Sequence, residues 1–129
     1  MAVIGIQVYV NNSLEAVEVY KKAFNAEITP TPAFNNDGTY MHCELRINDD
    51  PFLYISEAPK PTEIMKQYHK LPNQTMQFCV NLETEQAIQK AYDVLSIEGV
   101  APKPPAPTDW CPMLCNLIDK FGISWGLNI

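Results

Sequence analysis

Hydrophobic and polar residues alternate along two short segments that closely resemble each other. The first reads IQVYVN, residues 6–11, and the second reads MQFCVN, residues 76–81, so that Gln, Val and Asn recur seventy residues apart. Alternation with a period of two is typical of a strand that buries one face and exposes the other. Because the two segments lie in opposite halves of the chain, we interpret the sequence as one structural module written twice.

A helix is predicted after each of these strands. Asn12 is a suitable N-cap with Glu15 three residues further on, and Asn25 ends the first helix. The apolar stripe of this helix consists of Leu14, Val17, Tyr20 and Phe24. Thr84 is predicted to cap the second helix and Gly99 to close it. The apolar face of the second helix consists of Ala87, Ile88, Ala91, Val94 and Leu95.

Three more strands are predicted after each helix. In the first half, an edge strand interrupted by prolines precedes a hairpin turn at NNDG and two further strands, and the three strands occupy residues 27–34, 39–47 and 52–56. The second half repeats the order, including the interrupted edge strand, at residues 100–107, 110–118 and 123–129. Each half therefore reads strand, helix and three strands.

This order predicts an α+β fold with two tandem βαβββ modules in a single domain. Module 1 spans about residues 1–58 and module 2 about residues 75–129, and the proline-rich linker 59–74 is predicted to hold a short helix begun at Thr62. One helix covers only one face of a four-stranded sheet. We therefore expect a curved mixed sheet with the helices outside, enclosing a concave cup that is the default ligand site.

The third strand of each module supplies candidate residues for this cup. In module 1 the alternation places Met41, Cys43, Leu45 and Ile47 beneath the helix. It turns four polar side chains into the cup: Tyr40, His42, Glu44 and Arg46. The equivalent row of module 2 is Cys111, Met113, Cys115 and Leu117. One polar wall and one sulfur-rich wall suit a small organic ligand with an acidic or hydroxylated end and an apolar body.

Two interpretations of the polar wall remain open. In the first, His42 is a general acid or base, Glu44 orients it, and Arg46 binds an anionic group. In the second, alternate polar residues pair with neighbouring strands and face water. A similar choice applies to three aromatic residues, which suit either stacking on a ligand or a place in the core or an interface: Tyr9, Trp110 and Trp125.

Composition argues against several classes of protein. The 129 residues carry a net charge of −6, whereas a nucleic-acid partner requires a basic face. No apolar run approaches the length of a membrane span and no signal peptide is recognisable, so we expect a cytoplasmic protein without a membrane partner. The four cysteines are interpreted as reduced thiols, and the stretch CPMLC lacks the second ligand pair of a zinc site.

Three stretches of the chain resemble a known superfamily. VYVNNSLEAVEVYKKAFNAE, YMHCELRINDDPFLYISEAP and DKFGISWGLN are similar to the opening strand and helix, the His-x-Glu-Leu-Arg-Ile hairpin and the Asp-x-Phe-Gly-x-x-Trp ending of PhnB-like proteins. These proteins, also labelled 3-demethylubiquinone methyltransferase-like, form a branch of the vicinal oxygen chelate superfamily, with glyoxalases, bleomycin-resistance proteins and extradiol dioxygenases. The resemblance covers the whole chain and implies paired βαβββ modules and a homodimer.

The resemblance also implies where a metal site would lie. Metal-dependent members bind the ion through His, Glu or Gln on the first and fourth strands of each module, and the matching positions here are Gln7, Ser56, Thr75 or Gln77, and Gly126. Two amides, a hydroxyl and a glycine are poor ligands for a divalent transition metal, so no metal is expected. No glycine-rich turn for an adenosyl cofactor follows a strand, so no cofactor is expected either.

Three functions agree with these observations, and we favour the first. It is the metal-free binding of a small organic molecule in the cup, through Gln7, Tyr9, Tyr40, Arg46, Ser56, Gln77, Cys111, Met113, Cys115 and Trp125. The second is an enzyme of the lyase, isomerase or dioxygenase type, with an altered metal-ligand set or with His42 and Glu44 as an acid–base pair. The third is a module that acts only through protein contacts, with Trp110 and Trp125 filling the cup.

Overall fold

The computed structural model describes residues 4–60, 63 and 76–129, so Thr62 and Thr75 lie outside the described residues. The helices are α1 (Ser13–Phe24) and α2 (Glu85–Leu95). The strands are β1 (Gln7–Val10), β2 (Glu27–Ile28), β3 (Ala33–Phe34), β4 (Tyr40–Ile47), β5 (Asp50–Glu57), β6 (Phe78–Asn81), β7 (Val100–Ala106), β8 (Leu114–Ile118) and β9 (Ser124–Asn128).

The strands form two mixed sheets with the same internal order. The first sheet has the order β1-β5-β4-β2, with β3 also paired to β4, and the second has the order β6-β9-β8-β7. In each sheet the first strand pairs in parallel with the last strand of its half, and the other pairs are antiparallel. This shared topology confirms the predicted α+β fold with two βαβββ modules, while the exact module boundaries stay predictions.

Each helix covers one face of its own sheet. Helix α1 packs on β4 and β5, and α2 packs on β8 and β7. The buried side chains beneath the helices include Val8, Val10, Cys43, Leu45, Leu53, Ile55, Cys115, Leu117, Trp125 and Leu127. We call this side of each sheet the helix face and the opposite side the open face. Since the helices also pack against each other, the two helix faces share one core.

Aromatic rings join the two halves of this core. Trp125 of β9 is fully buried, and its ring centroid lies 5.0 Å from that of Phe24 and 5.5 Å from that of Tyr20, both on α1. Phe52 of β5 also stacks on Trp125, with centroids 6.3 Å apart. The prediction that Trp125 lines the cup is therefore wrong, because its ring lies on the helix face and packs against module 1.

The helix ends agree only in part with the sequence. Thr84 caps α2 as predicted, since its hydroxyl accepts a hydrogen bond from the Ala87 N–H at 3.0 Å. Asn12 has a left-handed backbone with φ 63° and its side chain caps nothing. Instead, the Glu57 carboxylate at the end of β5 accepts hydrogen bonds from the N–H groups of Asn12, at 2.9 Å, and Ser13, at 2.8 Å. Module 1 therefore caps its helix from a neighbouring strand.

Gly99 does not close α2, which ends at Leu95. A Cβ added to Gly99 would lie 2.4 Å from the carbonyl oxygen of Ile118. Close approach of the backbone to β8, and not a helix C-cap, is therefore the reason for this glycine. None of the helices in the described ranges is long and apolar enough to cross a membrane.

Candidate functional site

Gln7 and Ser56 meet on the open face of the first sheet. The Gln7 amide nitrogen donates hydrogen bonds to the Ser56 hydroxyl at 3.0 Å, the Tyr54 carbonyl at 3.2 Å and the Val8 carbonyl at 3.0 Å. Tyr9 is exposed two residues further along β1, where it pairs with Ser56. The amide of Gln7 is therefore oriented by its own module.

Tyr54, which was not among the predicted site residues, belongs to this open face. Its ring stacks on His42 with centroids 5.4 Å apart, and a Cβ added to Gly5 would lie 2.8 Å from the Tyr54 Cε2 atom. The alternation in FLYIS, which places Tyr54 on the same face as Ser56, was the signal that could have found it. His42 is exposed and has an aromatic neighbour.

Glu44 and Arg46 form an ion pair with each other. Arg46 Nη2 lies 3.0 Å from Glu44 Oε1, and Arg46 Nη1 donates to the Asp49 carbonyl at 3.0 Å. Both side chains line a separate polar recess of about 490 Å³ beside Thr29 and Glu27. No hydrogen bond joins Glu44 to His42 in the described part of the chain, so the predicted orientation of His42 by Glu44 is not observed.

The prediction that Tyr40 faces the cup is wrong. Ala33 pairs with His42 while Phe34 pairs with Tyr40, so Met41 is an extra residue in β4. Such a bulge shifts the alternation of the strand by one position. Tyr40 is only 8% exposed, and burial near Cys43 and Glu18 raises its pKa, whereas Met41 is 56% exposed and does not lie beneath the helix as predicted.

The sulfur-rich wall predicted for module 2 is not formed. Cys115 is fully buried on the helix face with Leu117, and burial raises the pKa of the Cys115 thiol to about 11. Cys111 is buried in the turn before β8, where its thiol donates to the Met113 carbonyl at 3.2 Å. Met113 packs against the core. The strand begins at Leu114 and not at Trp110, and the row predicted to face the cup is wrong because Cys115 and Leu117 lie on the helix face.

The open face of the second sheet carries Gln77, Cys79, Asn116 and Gly126. Gly126 pairs with Cys79 on one side and with Asn116 on the other. A Cβ added to Gly126 would lie 2.7 Å from Gln77 Oε1 and 3.3 Å from Asn116 Oδ1. Asn116 was not among the predicted site residues, because its neighbours Cys115 and Leu117 were assigned to the cup. The polar character of Asn116 within an apolar run was the available signal.

The residues at the implied metal positions do not fit a divalent transition metal. Gln7 already donates to Ser56, and Gln77 faces a glycine. These positions supply amides and a hydroxyl, whereas such metals prefer imidazole, thiolate and carboxylate. Among the described residues, no group of three or more His, Cys, Asp or Glu side chains is arranged to hold a metal ion.

A cavity of about 660 Å³ lies between β1 and β6, at the junction of the two modules. We call it the seam cavity. Most of its lining side chains are apolar, with Gln7 and Ser124 as polar exceptions, and the lining residues are Ile4, Gly5, Ile6, Gln7, Met76, Phe78, Gly122, Ile123 and Ser124. Both modules therefore contribute to the same concave surface.

Solved structures share this architecture over nearly the whole chain. The PhnB protein of Bacillus cereus has a TM-score of 0.79 at 20% identity, covering 98% of each chain. A glyoxalase/bleomycin resistance protein/dioxygenase family enzyme from Burkholderia phytofirmans has a TM-score of 0.65 at 14% identity, covering 95% of this chain and 94% of the other. A possible glyoxalase from Bacillus cereus also scores 0.65 at 14% identity, covering 100% and 99%.

The chain therefore has the fold of the vicinal oxygen chelate proteins. Within that class, the resemblance to the PhnB-like branch that the sequence motifs indicated is confirmed at the level of the fold. No protein-family model matches the sequence, and no curated protein matches it.

Proposed function

We propose that this protein binds a small, largely apolar organic molecule in the seam cavity and does so without a divalent metal. The observation that carries the proposal is the cavity itself, which has about 660 Å³ of space and a mainly apolar lining from both modules. Small-molecule sites are typically concave and apolar, with a few polar groups that orient the ligand. The volume is sufficient for one or two aromatic rings.

Gln7 is the polar group that would orient such a ligand. Its amide nitrogen is held by Ser56 and by the carbonyl groups of Tyr54 and Val8. Its amide oxygen accepts no hydrogen bond from the described residues and is available to a ligand donor. Because the amide is held in place, binding would require little further ordering of this side chain.

The metal-free part of the proposal follows from the donor chemistry of the site. Amide and hydroxyl groups occupy the positions where a transition metal would need stronger ligands. The acid–base alternative has less support, because the Glu44 carboxylate forms an ion pair with Arg46. Both side chains line the polar recess beside Thr29 and Glu27, and His42 is not among its lining residues. The third alternative loses its support, since Trp125 is buried on the helix face and Trp110 is 77% exposed.

The experiment is a titration with toluene, followed by NMR of isoleucine methyl groups. We expect the methyl signals of Ile4, Ile6 and Ile123 to shift, and the variant Ile6→Phe to weaken binding by filling the cavity. Ile97→Phe, at an exposed position, is the matched control. Shifts confined to other isoleucines, or binding that disappears with a chelator and returns with zinc, would contradict the proposal.

We further propose that the protein is a homodimer, as its resemblance implies. Tyr9, Met41 and Met76 are among the large apolar side chains that are more than half exposed. A second copy that covered them would remove this apolar surface from water. Sedimentation should show a dimer that Tyr9→Lys with Met41→Lys converts to a monomer, while Ile97→Lys does not. A monomeric wild-type protein would disprove this proposal.

The cytoplasmic location stays a prediction of the sequence.

A further inference from the structure

Two polar side chains line the described part of the seam cavity, and each comes from a different module. Gln7 belongs to β1 of module 1, and Ser124 is the first residue of β9 in module 2. The other described lining residues are apolar side chains or glycines, and none of them carries a charge. The cavity therefore favours an uncharged ligand, because an unpaired ion is costly to bury.

The group that could neutralise an acidic ligand lies elsewhere. Arg46, which was predicted to bind an anionic group, lines the polar recess with Glu27 and Glu44 and forms an ion pair with Glu44. It is not among the residues that line the seam cavity. Of the two end groups that the sequence suggested for the ligand, acidic or hydroxylated, the cavity is suited to the hydroxylated one.

The Ser124 hydroxyl is available to such a group. Ser124 is only 9% exposed, and its hydroxyl forms no hydrogen bond with any described residue. In the described part of the chain, the one fully enclosed side-chain nitrogen or oxygen without a partner is Arg46 Nε, so the Ser124 oxygen still reaches open space. Since Ser124 lines the seam cavity, its hydroxyl opens into that cavity.

Gln7 offers an acceptor from the other module. Its amide nitrogen is held by the Ser56 hydroxyl and two carbonyl groups, and its amide oxygen accepts no hydrogen bond from the described residues. An amide oxygen can only accept, whereas a hydroxyl both donates and accepts. A ligand hydroxyl can therefore donate to Gln7 or Ser124 and accept from Ser124, which satisfies groups that the protein itself leaves unpaired.

An aromatic side chain belongs to the same lining. Phe78 of β6 lines the cavity, and its ring packs edge-on against the buried Trp125, with centroids 5.5 Å apart and an interplanar angle of 78°. Because this contact holds Phe78 in place, the cavity has a fixed aromatic wall. Aromatic rings pair favourably with one another, so a ring in the ligand gains from this wall.

We propose that Ser124 and Gln7 select a neutral aromatic ligand with a hydroxyl group, the chemistry of a phenol, and that Ser124 is the specificity-determining residue of module 2. This rests on the proposed function, because both residues line the seam cavity. The apolar lining holds the ring of the ligand, and the two polar side chains hold its hydroxyl group.

The experiment compares toluene, phenol and benzoate at pH 7, each followed by the isoleucine methyl signals. A hydroxyl without partners is costly to bury, so a purely apolar cavity would bind phenol more weakly than toluene. We expect phenol to bind at least as tightly as toluene, and benzoate to bind at least about tenfold more weakly than phenol. Weaker binding of phenol than of toluene, or benzoate binding that comes closer to that of phenol, would overturn the proposal.

The variant Ser124→Ala tests the residue itself. It removes the hydroxyl and little else, and it should weaken phenol binding about fivefold to tenfold. Toluene does not use the hydroxyl, so unchanged toluene binding shows that the cavity of the variant is intact. Ser96→Ala, at the end of α2 and outside the cavity lining, is the matched control and should leave the binding of both probes unchanged.

Two outcomes separate the failures. If toluene and phenol both fail to shift the methyl signals of Ile4, Ile6 and Ile123, the proposed function itself is wrong. If toluene binds there but phenol binds more weakly, or phenol binds Ser124→Ala as it binds the wild type, the cavity still accepts apolar molecules and only the inference about the hydroxyl group fails.

Discussion

The Tyr20 hydroxyl on α1 donates a 2.7 Å hydrogen bond to Oδ2 of Asp119, a residue of the other module. The same oxygen accepts from the Trp125 indole N–H at 2.9 Å, and Oδ1 accepts from the N–H groups of Phe121 at 2.9 Å and Ile123 at 3.0 Å. Asp119 is only 4% exposed. The DKFGISW stretch therefore holds the β8–β9 turn and joins the two modules through Asp119.

We predict that Asp119→Asn destabilises the protein by about 2–3 kcal/mol. The amide can still accept the two backbone hydrogen bonds, but its NH₂ group would face the Trp125 N–H, leaving buried donors unpaired. Tyr20→Phe removes one partner of the same carboxylate and should cost less, about 1 kcal/mol. Urea unfolding at neutral pH measures both. Equal midpoints for the wild type and Asp119→Asn would contradict this account.

A second prediction concerns the cap that Glu57 provides for α1. Glu57→Gln should cost about 1 kcal/mol, because the charge at the helix N-terminus is lost and the hydrogen bonds to Asn12 and Ser13 weaken. Although partial desolvation opposes the shift, these hydrogen bonds lower the pKa of Glu57 below its usual 4.5. The matched control is Glu18→Gln on the exposed side of α1, which should change little.

The sign of the pH dependence follows from that lowered pKa. The stabilisation by Glu57 is complete above pH 4.5 and is lost as the pH falls through the lower pKa of the folded protein. The difference in unfolding free energy between the wild type and Glu57→Gln should therefore be largest near neutrality and shrink in acid. A difference that grows as the pH falls would refute the capping role.

Gly99→Ala is predicted to be among the most damaging glycine substitutions. Its Cβ would meet two backbone groups, the Ile118 carbonyl oxygen at 2.4 Å and the Asp119 Cα at 3.2 Å, so no side-chain rotation relieves the clash. We expect a loss of about 2–3 kcal/mol from this overpacking. Gly38→Ala, in open space but at φ 87°, isolates the conformational penalty and should cost about 1 kcal/mol. Thermal unfolding measures both losses of stability. If Gly38→Ala proves more destabilising than Gly99→Ala, the close approach of Gly99 to Ile118 is unimportant.

The cysteines should differ sharply in their reactivity. Burial raises the pKa of the Cys43 and Cys115 thiols to about 11, whereas Cys79 is exposed. Because the thiolate is the reactive form, iodoacetamide at pH 8 should modify Cys79 in the folded protein and reach the other two only after unfolding. Peptide mass spectrometry reads each site separately, and Cys79→Ser is the control. Rapid modification of Cys43 in the native protein would contradict the observed packing.

Much of the fold follows from local properties of the sequence. The period-two alternation of IQVYVN and MQFCVN placed β1 and β6, the helical stripes placed α1 and α2, and Thr84 marked a true cap. Hydrophobic periodicity reports which side of a strand or helix is buried, and neighbouring residues alone establish it. The repeat then predicted the same topology for both halves, and the structure confirms it.

The candidate site was predicted less well because side-chain direction depends on pairing between distant strands. The bulge at Met41 arises from the pairing of β3 with β4, and it moves Tyr40 from the cup to the core. In β8, likewise, pairing with β9 places Cys115 opposite the buried Leu127 and Asn116 opposite Gly126 on the open face. A shift of one residue turns every side chain beyond it to the opposite face of the sheet. An error in the pairing of one strand therefore changes all of the residues predicted to line one side of the site.

The sequence by itself therefore determined the repeat and the order of strands and helices. Only the tertiary structure decided which residues surround the seam cavity, that Asp119 joins the modules, and that Gln77 and Asn116 pack closely against Gly126. The physical reason is the range of the interactions. Alternation acts between neighbours in the chain, whereas a cavity is formed by side chains from segments that meet only when both sheets have packed around one core.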